Sequence, residues 1–154
     1  MTALGDFTSA VLPASDLNLL GGAYTSWSPS YTTFSLGNGT AVTKYRQIGR
    51  TVHAVVSITL GSTSSVTGLI GISLPVTSDG LVHPVPVYIL DSGTATFVGV
   101  ALCATTTRVD VHAVNAAGTY NSTTATSATV PMTWTTSDAI HFDLVYTAAA
   151  NGSG

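Results

Sequence analysis

The fold is decided by residues 51–60, which read TVHAVVSITL. Along this stretch a mainly polar row, His53, Val55, Ser57 and Thr59, alternates with an apolar row. The apolar row consists of Val52, Ala54, Val56, Ile58 and Leu60. A period of two is typical of a β-strand with one buried face. We therefore predict a strand at 51–60 whose apolar row faces the protein core.

The same alternation recurs at residues 138–147, where Ile140, Phe142, Leu144 and Tyr146 share one face. Residues 107–115 alternate in the same way. We expect the inward rows of the first two strands to form the centre of the core. Its predicted members are Val52, Val56, Ile58, Phe142 and Leu144.

Turn-forming residues separate the predicted strands, for example Leu36-Gly37-Asn38-Gly39, which suits a hairpin. We expect residues 85–90 to form an edge strand, because Pro84 and Pro86 lack the N–H that a sheet ladder needs. Residues 116–128 are small and polar and are expected to form a loop. About eight short strands with no helix between them indicate an all-β domain over 24–150. The predicted architecture is an antiparallel sandwich, jelly-roll-like.

Residues 1–23 lack this alternation and are interpreted as an N-terminal attachment arm. Their apolar side chains precede the Gly21-Gly22 break and are Phe7, Val11, Leu12, Leu17, Leu19 and Leu20. Such a set packs either on its own domain or on a neighbouring molecule. The segment has no basic region followed by a continuous apolar run, so we do not expect a secretory signal.

Charged residues make up only 7% of the 154 residues, and the formal net charge is −3. Clustered cations are what nucleic-acid binding needs, and their scarcity argues against that function. No apolar run approaches a membrane span, and a single cysteine excludes an intrachain disulfide. Val55 and Val145 place apolar side chains on the outward rows, so we expect a homo-oligomer, most simply a trimer, that covers this face.

The residues that could carry chemistry form no convincing active site. His53 and His141 lie on outward rows, and Asp residues concentrate at predicted turns, where they usually make local hydrogen bonds. We therefore predict no catalytic residue, no cofactor and no metal site. Four aromatic residues are either core or interface anchors, or platforms for sugar stacking: Tyr24, Trp27, Tyr31 and Trp134.

Several short motifs resemble small β-rich virion proteins of tailed bacteriophages, especially those that infect actinobacteria. They are YTSWSPSY at 24–31, LGNGT at 36–40, YRQIGRTV at 45–52, LGST at 60–63 and ISLP at 72–75. Residues 7–18 are similar to the opening of phage tail and fibre proteins, with Pro13 where Thr is usual. The likeness covers residues 7–75 and is weaker over 131–146.

The resemblance implies a non-enzymatic virion structural protein, made in the host cytoplasm and displayed on the capsid exterior or the tail. The first hypothesis is an oligomeric capsid decoration protein that binds the major capsid protein or another virion protein. The alternative is a viral tail-fibre or tail-tip domain that contacts bacterial surface glycans.

Overall fold

A computed structural model describes residues 22–150, and these residues contain ten β-strands and no helix. The attachment-arm residues Phe7 to Leu20 lie outside the described part of the chain. The strands are β1 (Thr25–Ser26), β2 (Tyr31–Ser35), β3 (Thr40–Ile48), β4 (Thr51–Thr59), β5 (Ser65–Ser73), β6 (Pro84–Asp91), β7 (Ala95–Leu102), β8 (Arg108–Asn115), β9 (Ser122–Ala125) and β10 (Ala139–Thr147). No helix that could cross a membrane occurs within this range.

All strand pairs are antiparallel, and the strands form one continuous sheet. Its order is β1-β3-β4-β10-β6-β7-β8-β5-β2, with β9 added beside β8. The sheet curls into a half-barrel over a single core. The predicted all-β antiparallel fold is therefore confirmed, whereas the jelly-roll arrangement stays a prediction.

The two alternating stretches identified in the sequence are neighbours at the centre of the sheet. β4 pairs with β10 over nine residue pairs, so that Val56 lies opposite Phe142 and Ala54 opposite Leu144. Every predicted core residue is at most 5% exposed. The predicted core is therefore confirmed, and β5, β6 and β8 extend it with Ile70, Ile72, Val87, Ile89, Val109 and Val111.

The sheet curls far enough to bring its two edge strands together. β1 and β2 stand at opposite ends of the strand order, yet only residues 27–30 connect them. The Trp27 backbone N–H donates to Thr43 O at 3.3 Å, and Ser73 N–H donates to Ser30 O at 2.9 Å. Residues 27–30 are thus hydrogen-bonded to β3 at one end of the strand order and to β5 near the other end, and these bonds stabilise the curvature of the sheet.

The predicted turn at Leu36–Gly39 is confirmed, with Gly39 N–H donating to Leu36 O at 2.8 Å. Gly37 has φ of 53°, and a Cβ there would lie 2.4 Å from Thr63 O, so that only glycine fits. Asn38 Oδ1 accepts a hydrogen bond from Thr63 N–H at 2.9 Å. This turn therefore packs directly on the β4–β5 turn.

Two sequence predictions about the strands are wrong. β6 is not an edge strand, because it lies between β10 and β7. Its ladder with β10 covers only Tyr88 to Leu90, so Pro84 and Pro86 fall beyond the paired part and cost no hydrogen bond there. Residues 116–128 are not wholly a loop either, since β9 pairs its four residues with β8.

The expected count of about eight strands is too low, because the short strands β1 and β9 carry no alternating signal. All six residues of these two strands are exposed. A strand without a buried face shows no apolar alternation in its sequence. Such a strand is recognised only from its hydrogen bonds to a neighbouring strand in the folded protein.

Candidate functional site

Three of the four candidate aromatic residues are half-buried and pack against the core. Trp27 Nε1–H donates to Ser73 O at 3.4 Å, and the Trp27 ring meets Tyr45 edge to face, 6.0 Å between centroids. Tyr31 meets Phe34 in the same way at 4.9 Å, and its burial raises the pKa of its hydroxyl. Trp134 Nε1–H donates to Ser127 O at 2.8 Å. Both indole N–H groups are thus bonded within the chain, and all three rings pack partly against the core.

Tyr24 differs from these three, because 39% of its surface is exposed. It precedes β1 at the outer face of the sheet, and its hydroxyl shares a hydrogen bond with His53 Nδ1 at 2.8 Å. Lys44 Nζ lies 5.0 Å and Arg46 Cζ lies 5.1 Å from the centre of the Tyr24 ring. We call Tyr24, Lys44, Arg46 and His53 the Tyr24 cluster.

His53 and His141 lie on neighbouring strands but have separate partners. His53 faces Val145 across the β4–β10 ladder, whereas His141 faces Ser57, to which its Nδ1 is hydrogen-bonded at 2.9 Å. His53 Nε2 lies 4.0 Å from Asp143 Oδ2. The two histidines therefore do not combine into one site.

Asp138 and Asp110 are buried, and each is bonded to neighbouring groups of the chain. Asp138 is fully buried and accepts backbone hydrogen bonds from Ser92 at 2.9 Å and Thr135 at 2.6 Å. Asp110 forms a two-pronged ion pair with Arg108, at 2.6 and 3.0 Å. These carboxylates have their accepting positions occupied by structural partners.

Asp79 lies in the loop between β5 and β6. Two hydrogen bonds hold the pKa of the Asp79 carboxyl below its ordinary value. The larger contribution comes from the Leu81 N–H, and the smaller one comes from the His83 side chain. Within residues 22–150 no group of three or more His, Cys, Asp or Glu side chains could hold a metal ion.

Cys103 directly follows the last residue of β7, Leu102, and is 3% exposed. Burial, with a smaller contribution from the charge of Asp79, raises the pKa of its thiol to about 11. A thiol with so high a pKa carries almost no nucleophilic thiolate at neutral pH.

The outer face of the sheet carries apolar side chains on five neighbouring strands. We call this surface the outer patch; its exposed members are Val42 (61%), Tyr88 (47%), Val98 (62%) and Val145 (51%), with half-buried Val55 among them. Five strands at about 4.8 Å spacing give the patch a width of about 19 Å. Beside Val55 a shallow groove of about 400 Å³ is lined by Ser57, Pro86, His141 and Asp143.

Val55 and Val145 were singled out from the sequence, and both point outward. Val42, Tyr88 and Val98 were not, because each lies in a different strand whose neighbours the sequence does not reveal. The sequence signal for these outward-facing residues is alternation with buried ones. Tyr88, for example, lies between the buried residues Val87 and Ile89.

No family model, curated protein or solved structure matches this chain.

Proposed function

We propose that the protein is a non-enzymatic structural protein of a bacteriophage virion, an oligomeric capsid decoration or head-surface protein that binds and stabilises the assembled shell. The virion assignment draws on the motif resemblance over residues 7–75. The oligomeric assembly draws on the outer patch, which is the single observation that carries the proposal.

The outer patch supports an assembly role because water-exposed apolar side chains on adjacent strands are unfavourable in an isolated domain. Tyr88 and Val98 lie directly opposite each other, whereas Ser57 and His141 separate Val42 from Tyr88 in the same cross-strand row. Apolar side chains that lie close together on a surface mark interaction sites more often than single exposed residues do. Burying a valine side chain contributes roughly 1.5–3 kcal/mol, and each copy offers several such residues. A closed ring of copies, most simply a trimer, would cover the patch on every subunit.

Light scattering of the purified protein at micromolar concentration tests the assembly. We expect a trimer for the wild type and monomers for the Val98→Asp/Val145→Asp double variant, with the circular dichroism of a folded β-protein. Leu81→Asp/Val82→Asp is the matched control, since it adds the same two charges at side chains that are 65% and 66% exposed and lie outside the strands. A stable wild-type monomer would refute the assembly, as would dissociation of the control.

The attachment role of residues 1–23 rests on their apolar composition and on where they join the domain. A Cβ built on Gly22 would lie 3.3 Å from Gln47 O and 3.6 Å from Ile48 Cγ1. The chain therefore enters the described domain at the end of β3, next to Ile48, which is 49% exposed.

Deletion of residues 1–20 tests this role on virions that lack the native protein, with immunogold labelling as the readout. We expect the truncated protein to stay folded and oligomeric but to fail to label particles that the full chain labels. Labelling by the truncated protein would contradict attachment through the arm. Unfolding of the truncated protein would place the arm in the core instead, and absence of labelling by the full chain would contradict the virion assignment.

The alternative function, a tail-fibre or tail-tip domain that contacts host glycans, is favoured by one observation. In the Tyr24 cluster, Lys44 and Arg46 both lie over the ring of Tyr24, which is 39% exposed. Labelling confined to the tail would favour this alternative, whereas labelling over the head would favour capsid decoration.

A further inference from the structure

Positive charge is scarce in this protein, and half of its basic side chains lie in one place. The chain has four Lys and Arg residues. Arg108 is paired with Asp110, and Arg50 Nε–H donates to Ala148 O at 3.0 Å. Lys44 and Arg46 have no carboxylate within 4.0 Å among residues 22–150, and both lie beside Tyr24. Two cations thus remain available to an external anion.

The cluster is held in place before any ligand arrives. Tyr24 is bonded to His53, and their rings meet at 68° with 5.6 Å between centroids. Lys44 and Arg46 are half-buried residues of β3, which pairs with β4. Side chains that are already ordered lose little entropy when they bind, which favours affinity.

The local charge stays positive when the nearest carboxylate is included. Asp143 Oδ2 lies 4.0 Å from His53 Nε2, and the Asp143 side chain is 66% exposed. Two cations therefore outnumber one solvated carboxylate.

We propose that the Tyr24 cluster binds an anionic sugar, in which a carboxylate or phosphate group meets Lys44 and Arg46 while the sugar ring lies against Tyr24. Guanidinium and ammonium groups bind carboxylates and phosphates through charge-assisted hydrogen bonds. The C–H groups of a sugar pack on the part of an aromatic ring that stays exposed, and 39% of the Tyr24 surface is exposed beside the two cations. This inference deepens the alternative function, contact with host glycans, and rests on it. Val55 of the outer patch lies opposite Lys44, and Val145 lies opposite His53, so a copy that covered the patch would also cover the cluster.

An anionic sugar fits the cluster better than a nucleic acid does. Nucleic-acid binding needs cations along a groove that follows many phosphates. Here two cations and one exposed ring occupy a small area of a protein whose net charge is −3. One or two anionic groups per ligand match this number of cations.

Titration calorimetry of the full-length protein tests the proposal with three oligosaccharide-type probes. They are an oligogalacturonate, which carries carboxylates, a glycerol-phosphate oligomer substituted with sugar, and maltohexaose, which is neutral. We expect binding of at least one anionic probe and none of maltohexaose. The probe that binds distinguishes carboxylate from phosphate as the preferred anion.

Variants distinguish the cluster from general charge attraction. Lys44→Gln/Arg46→Gln should weaken binding of the anionic probe by about tenfold or more, since it removes both charged donors. Tyr24→Ala should weaken it as well. The control Tyr120→Asp/Thr123→Asp changes the net charge by the same amount at exposed positions that include β9, and it should leave the affinity unchanged.

Four results would overturn the proposal. They are failure of both anionic probes to bind, equal binding of maltohexaose, an equal loss of affinity in the control variant, and equally tight binding of a DNA oligomer. The first removes the site, and the others show that the binding does not depend on an anionic sugar at the cluster.

Discussion

The buried hydroxyl of Tyr146 offers the sharpest test of how the loop after β5 is held to the sheet. The Tyr146 side chain is 2% exposed, and its O–H donates to Val76 O at 2.7 Å while its oxygen accepts from Val76 N–H at 3.2 Å. Tyr146→Phe keeps the ring and leaves both backbone groups of Val76 without this partner. An unsatisfied polar group that is shielded from water costs about 1–3 kcal/mol.

For a domain of this size we expect Tyr146→Phe to lower the melting temperature by about 4–10 °C at pH 7. Thermal unfolding followed by circular dichroism measures the shift. Tyr120→Phe is the matched control, because Tyr120 is 85% exposed, and its melting temperature should not change. A Tyr146→Phe protein that melts with the wild type would refute the reasoning, since the two hydrogen bonds would then contribute nothing.

The pH dependence of this variant provides a second readout. Burial raises the pKa of Tyr146 far above its ordinary value, so the folded state keeps the phenol proton at pH values where the unfolded state loses it. The associated stability is present below about pH 10 and is lost as the pH rises further. Tyr146→Phe should therefore show less alkaline destabilisation than the wild type, and an equal loss in both would contradict the assignment.

Three further predictions concern the core, a loop and the thiol. Val56→Asp buries a carboxylate without a partner at a position that is 2% exposed, so it should cost several kcal/mol and abolish soluble expression; normal melting would mean that the faces of β4 are misassigned. The pKa of Asp79 is lowered in the folded protein, so its carboxylate contributes stability above about pH 4, and this stability is lost as the pH falls toward the folded-state pKa. Asp79→Asn should therefore remove part of the destabilisation that acid causes. An unchanged acid transition by fluorescence would contradict it. Cys103 should react with a thiol reagent at pH 8 only as fast as the protein unfolds, and rapid labelling of the native protein would contradict its burial.

Much of the fold follows from local sequence patterns. The alternation at 51–60 and 138–147 predicts both strands and the buried faces of Val56 and Phe142, because successive side chains of any strand point to opposite sides. The turn at Leu36–Gly39 also follows from local sequence, since Gly37 permits the positive φ that the turn contains. These features depend on residues only a few positions apart.

The candidate sites were less accessible to sequence reasoning. The sequence identifies Tyr24 as a candidate aromatic residue together with Trp27 and Tyr31. It does not predict that Tyr24 is exposed while the other two are half-buried. Burial of an aromatic ring depends on what packs over it. Trp27 donates a hydrogen bond to the backbone oxygen of Ser73, 46 residues away in the sequence. The same holds for Val42 and Val98, which share the outer patch only because β3 and β7 belong to one sheet.

The sequence alone thus determined the all-β class, the principal strands and the inward faces of β4 and β10, since each is a property of neighbouring residues. Only the tertiary structure decided the strand order, the interior position of β6 and the meeting of Tyr24, Lys44 and His53 from three chain segments. The physical reason is that strand pairing uses backbone groups that every residue carries. Local side chains therefore specify which face is buried, whereas the choice of partner strand depends on how the whole core packs.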